Sequence, residues 1–203
     1  MFRESLVDSS LNRLSSHFGS RLVVHPPATA DVLAELEHLA GLVPREFVIF
    51  LSTCNGLRVH ADGSDTELHL WGSPEILAAS VSCAGPMVPE ALLPIRGDPT
   101  GERDWLVCGN TGCRGAVVRW DPWVPGAALV ASGFGVYLGA WVDYVISRYD
   151  DHGSALPNRR RMMFDAGCVG PRDPRVSALV NDRQIKEWLQ HFDCAVACGD
   201  DFE

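Results

Sequence analysis

Lysine is almost missing: of 17 basic side chains among 203 residues, Lys186 alone is a lysine and the rest are arginines. A GC-rich genome explains that bias more readily than phosphate recognition does, so no single arginine carries functional weight by itself. Positive charge is scarce overall, because 26 acidic side chains leave a formal net charge of −9. Non-specific nucleic-acid binding needs a surplus of Lys and Arg along one surface. Direct contact with nucleic acid is therefore not expected, and a basic protein partner suits the chain better. Long apolar runs are also missing. Nothing approaches the roughly 18 consecutive apolar residues of a membrane span, and residues 1–25 hold Arg3, Glu4, Asp8, Arg13 and Arg21 where a signal peptide would hold an apolar core. The expected location is the cytoplasm, with no membrane partner. Seven cysteines form an odd count without a secretory leader. They point to reduced thiols packed as small hydrophobes, Cys54 and Cys83 among them. Gly109-Asn110-Thr111-Gly112 lacks the Gly-Lys-Ser/Thr of a phosphate loop and reads as a hairpin turn.

What is present is helix signal followed by strand signal. Residues 5–18 set Val7, Leu11, Leu14 and Phe18 at helical spacing, with Gly19 as the stop. Thr29 can cap a second helix carrying Val32, Leu33, Leu36 and Leu39, ended by Gly41. Pro44 opens a third, with Phe47, Phe50, Leu51 and Cys54 on its stripe and Asn55-Gly56 at its exit. Three helices are thus expected before any strand. The period then changes, with alternation at Leu57 to Val59 and Leu68 to Trp71 around Asp62-Gly63 predicting a hairpin. Further strands are expected at Leu92–Ile95, Trp105–Cys108, Ala116–Trp120 and Ala128–Ala131. Their connections are mostly too short for crossover helices, so the sheet should be largely antiparallel and the class α+β, with helices flanking the sheet. A helix can restart at Ser132, its stripe Phe134, Leu138, Trp141 and Val145 weakened by Gly135 and Gly139. The expected division is a domain over residues 1–149, then a linker or wrapped loop and a C-terminal helical extension over 150–203. That extension holds a last helix opened by Asp173-Pro174 and an acidic tail.

The third helix and its exit, from Gly41-Leu42-Val43-Pro44 to Ser52-Thr53-Cys54-Asn55-Gly56, resemble the signature of the SUKH superfamily, the Smi/Knr type. Similar pieces follow in the same order: Leu70-Trp71 with Pro74-Glu75-Ile76, then Ile95-Arg96-Gly97-Asp98, then Gly115 to Asp121, then Ser132-Gly133-Phe134. The match spans about residues 29–147. The resemblance implies an α+β domain whose bacterial members act chiefly as immunity proteins against polymorphic toxins, often nucleases, without catalysis or cofactor. Arg103-Asp104 stands where the family often has Gly-Asp, and residues beyond 150 fall outside the match.

On that reading the partner-binding residues are expected to be Trp71, Asp98, Glu102, Asp104, Trp105, Asp121 and Trp123. Large aromatics anchor interfaces, and a negative face steers a basic toxin. Trp120 joins the aromatic cluster, and Trp123, within Asp121-Pro122-Trp123-Val124-Pro125, is the first candidate for exposure. Cys108, Cys113, His191, Cys194 and Cys198 could join the tail to the sheet through zinc, although their spacing is looser than that of usual zinc sites, and no metal is expected. An alternative is a non-catalytic scaffold module of the same fold, docking through its last helix. The oligomeric state does not follow from the sequence.

Overall fold

The computed structural model describes residues 5–61, 68–82, 91–97, 103–110, 112–120, 127–157, 169, 173–180 and 186. Helix α1 (Leu6–Phe18) begins at Ser5, whose Oγ accepts the Asp8 amide, and ends at Gly19 with φ 50°. A short 3-10 turn (Gly19–Arg21) then feeds strand β1 (Leu22–Val24). Helix α2 (Ala30–Ala40) is capped by Thr29, and α3 (Arg45–Thr53) starts after Pro44. Strands β2 (Leu57–Val59) and β3 (His69–Leu70) follow, then helix α4 (Ser73–Ser82). Four strands come next: β4 (Leu92–Gly97), β5 (Arg103–Val107), β6 (Val117–Trp120) and β7 (Ala127–Ala131). Helix α5 (Phe134–Arg148) and, later, α6 (Pro174–Val180) complete the described elements.

The class is α+β. Sheet one is ordered β1-β2-β3 and sheet two β4-β5-β6-β7, and every described pairing is antiparallel. A backbone bond from Trp71 N–H to the Ile95 carbonyl, 3.0 Å, ties the end of β3 to β4. β1 corrects the expectation of three helices before any strand. Its three residues are too few to display alternation, and long-range bonds hold it: the Arg21 carbonyl accepts His60 N–H, and His25 N–H donates to the Gly56 carbonyl.

Sheet two has two buried faces. One faces the main core through Leu93, Ile95, Leu106, Cys108, Val117 and Val130, with α4 against β4 and α5 against β7, and that core also holds Phe47, Phe50, Phe134, Leu138 and Trp141. The other carries Leu92, Trp105, Val107, Val118, Trp120 and Leu129, with Val176 and Leu179 of α6 packed on it. Covered on both faces, these strands are apolar nearly throughout instead of alternating with polar positions. Val169 lies in the main core and α6 packs on β7, so these described residues of the 150–203 stretch are integrated with the domain.

Helix α5 begins differently from expectation. Its cap is Gly133, not Ser132. Glu46 of α3 supplies the missing acceptor, taking the Gly135 amide at 2.9 Å, where a carboxylate also suits the positive end of the helix dipole. A Cβ on Gly135 would come within 2.9 Å of that carboxylate, and one on Gly139 within 3.7 Å of Ser10 Oγ on α1. The two glycines that weaken α5 locally are the positions where neighbouring helices approach it. Ser132 is engaged by Asp173, whose carboxylate accepts the Ser132 amide at 2.6 Å, its hydroxyl at 2.9 Å, and the Arg175 amide at 3.2 Å. Asp173 thereby caps α6 and pins it to the β7–α5 turn.

Candidate functional site

Segments distant in the chain meet where the two sheets join. Asn55 leaves α3 and bonds Ser73 twice, its Nδ2 donating to Oγ and its Oδ1 accepting the Ser73 amide, both at 2.7 Å. Gly56 has φ 90°, open to glycine at no steric cost, and a Cβ there would sit 2.4 Å from Gly72 N. A Cβ on Gly72 would sit 2.0 Å from the Asn55 carbonyl oxygen, and one on Gly97 would sit 2.7 Å from the Trp71 ring. Glu75 completes the corner by accepting the Gly72 amide at 3.2 Å. Asn55-Gly56, Trp71-Gly72-Ser73 and Ile95-Arg96-Gly97 thus form one interlocked junction with Trp71, half-buried, on its outer side.

Behind it lies a buried charge knot. Asp104 has no exposed surface. Its carboxylate accepts from Arg96 at 2.8 Å, from Arg119 at 2.7 and 3.0 Å, and from the Tyr137 hydroxyl at 2.6 Å. Burial alone would push this carboxyl up, but the two guanidiniums outweigh it and hold it below the usual carboxylate range. Burial and the adjacent carboxylate keep Tyr137 protonated well above its ordinary range. A β-bulge makes the knot possible. Pro94 pairs with Trp105 but Arg96 pairs with Asp104, so Ile95 is the extra residue that brings Arg96 to the Asp104 face.

The register also aligns the four strand ends. Gly97 pairs with Arg103, Arg103 with Trp120, and Trp120 with Ala127, a single row across one end of sheet two. Residues 98–102 and 121–126 both begin and end in this row. Asp98, Glu102, Asp121 and Trp123 belong to those two connections and lie outside the described residues. Trp71 contacts the row at Gly97.

Two expected interface residues are corrected. Asp104 and Trp105 are buried, at 0% and 2% exposure. Asp104 shares the core face with Leu106, two positions on, and its charge is spent on two arginines. Trp105 points to the opposite face, where it lies 5.9 Å from the equally buried Trp120 ring. Neither offers a surface to a partner. Arg96, Arg119 and Tyr137 were not singled out by sequence reasoning. The available signal was strand alternation, which puts Asp104 with Leu106 and Cys108 and so demands buried cations opposite it.

Other reactive groups are closed off. Cys54 and Cys108 are buried, and burial pushes both thiols up to about 12, the wrong direction for a nucleophile. Cys108 packs in the main core and Cys113 against the opposite face of the sheet, and the described residues contain no cluster of three His, Cys, Asp or Glu side chains that could hold a metal ion. His191, Cys194 and Cys198 lie outside the described residues. His69 is buried with its Nδ1 3.3 Å from Arg58 and its Nε2 3.6 Å from Glu75. Burial and the Arg58 charge together lower its pKa against the opposing pull of Glu75. A surface depression of about 600 Å³ is lined by Ser9, Asn12, Arg13, Ser16, His17 and Ile146, where Arg13 is paired with Asp143 and His17 with the Tyr149 carbonyl. Compared with known proteins, the chain matches no family model and no curated protein. No described helix is long and apolar enough to cross a membrane.

Proposed function

We propose that this chain is a non-catalytic binding protein of the SUKH type that neutralises a cognate toxin, a basic nuclease being the expected class, by covering its working surface. The observation that supports the reading is the interlocked junction. The pieces that carry the resemblance, Asn55-Gly56, Leu70-Trp71 with Glu75, and Ile95-Arg96-Gly97, are separated in sequence yet depend on one another through contacts that Gly56, Gly72 and Gly97 alone permit. The raised thiols and the paired basic groups of the surface depression favour binding over covalent chemistry. The proposed contact region is the sheet end beside Trp71, with Asp98, Glu102, Asp121 and Trp123 in the connections that start there. The proposed compartment is the cytoplasm.

The test is to capture the tagged protein with its partners from the source cells, identify the bound chains, and assay any nuclease recovered. Silencing at equimolar protein, weakened by salt and by Asp121→Lys, is the expected result. A recovered nuclease that stays fully active at excess protein would overturn the toxin reading, and capture of housekeeping proteins alone would move the assignment to the scaffold module.

A further inference from the structure

Helix α2 presents an unusual outer face. Leu36 and Ala40 are its buried residues, whereas Asp31, Glu35 and Leu39, spaced four apart and so aligned along one side, are all exposed. Leu39 is 48% exposed and Leu42, just past the helix end, 52%, two of the most exposed large apolar side chains among the described residues. The turn between them is not loose. Gly41 has φ 75° and its amide closes on the Glu37 carbonyl, while the Leu42 carbonyl accepts Gly109 N–H from the β5–β6 turn at 2.9 Å. A Cβ on Gly41 would stand 3.3 Å from the Gly109 backbone. Two leucines are therefore held at the surface by a fixed backbone, at the end of sheet two opposite the Gly97–Ala127 row.

The charge around them says what covers them. Residues 30–46 carry Asp31, Glu35, Glu37 and Glu46 against the single arginine Arg45, and Glu46 is occupied at the start of α5. A second copy of this chain is a poor occupant, because pairing this face with itself would bring Asp31 and Glu35 against the same acidic side of the other copy. We infer that the α2 face, with Leu39 and Leu42 as anchors and Asp31 and Glu35 as the rim, is a docking surface for a basic protein that presents an apolar groove or helix side. Buried anchors give such a surface its affinity and the rim its rate and selectivity. The inference is independent of the toxin reading and holds whether or not any toxin is inhibited.

The probe is a synthetic 14-residue amphipathic helix of leucine and lysine, titrated into the full-length protein while backbone amide NMR shifts are followed. Shifts centred on residues 31–43 are expected. Leu39→Gln with Leu42→Gln should weaken binding on the order of tenfold, and Asp31→Asn with Glu35→Gln by about threefold with a shallower salt dependence. Leu42→Gln alone lies outside the helix and guards against a folding effect, with an unchanged melting temperature as the check. Equal binding by a control peptide with every leucine replaced by serine, shifts centred elsewhere, or unchanged affinity in the leucine variants would each overturn the inference.

Discussion

The two faces of sheet two solve the same burial problem with different chemistry. The face toward the main core encloses Asp104 with Arg96, Arg119 and Tyr137. The face under α6 encloses Trp105, Val118, Trp120 and Leu129 and is covered in part by a helix of seven residues. The first face is specified by directional bonds whose partners come from β4, β5, β6 and α5. The second is specified mainly by apolar area, which is tolerant of exchange. Damage to the first should therefore be severe and strongly dependent on pH, and damage to the second milder.

The largest expected effect is at Asp104. Asp104→Asn leaves two guanidiniums in the interior without their carboxylate, and breaking a buried ion pair costs about 3–5 kcal/mol. Urea unfolding reads the loss directly. The pH dependence carries a sign. Because the folded carboxyl is held below its ordinary value, its contribution is complete above the unfolded value, about 3.9, and declines as pH falls through the folded one. Wild-type stability should fall below about pH 4, and the variant should lose that part of the slope. A variant as stable as wild type would mean that the knot contributes little and that both faces rely on apolar burial alone.

The next effect concerns α6. Asp173→Ala removes the acceptor of the Ser132 amide and hydroxyl and of the Arg175 amide. A lost cap with buried donors left over costs about 1–3 kcal/mol. Thermal unfolding should register that loss, and acrylamide should quench tryptophan more strongly because Trp105 and Trp120 belong to the cluster on which α6 packs. Lost stability with unchanged quenching would show that α6 stays in place without its anchor.

The contrast between the faces also explains what was legible in the sequence. Ser5, Thr29, Gly19 and Gly41 act locally, so α1 and α2 and their ends could be read from neighbouring residues. Strands β4 to β7 were readable from apolar runs between turn residues. The knot was not, because Arg96, Arg119 and Tyr137 lie 8, 15 and 33 positions from Asp104, and the bulge at Ile95 reverses the face that alternation assigns to Arg96. Asp104 therefore resembled one more acidic residue on a negative rim. Trp71 was singled out as an interface residue and is half-buried at the junction. The glycine contacts that place it depend on long-range approach that no local pattern encodes.

The smallest expected effect is on the aromatic face, and it is a cancellation. Trp105 is buried, yet its Nε1 has no hydrogen-bond partner among the described residues. Trp105→Phe would remove an unsatisfied donor whose burial costs about 1–3 kcal/mol. It would also remove part of a ring, and lost apolar contact with the small void left behind costs about 1–2 kcal/mol. The two should offset to a net change within about 1 kcal/mol by thermal or urea unfolding. Asp104→Asn swaps atoms at nearly constant volume and should cost several times more, so size alone does not rank the two substitutions. A Trp105→Phe loss above about 2 kcal/mol would exceed what packing accounts for and would require a bonded indole N–H. The α6 face would then carry directional specification of its own, and the distinction between the two faces would be one of degree.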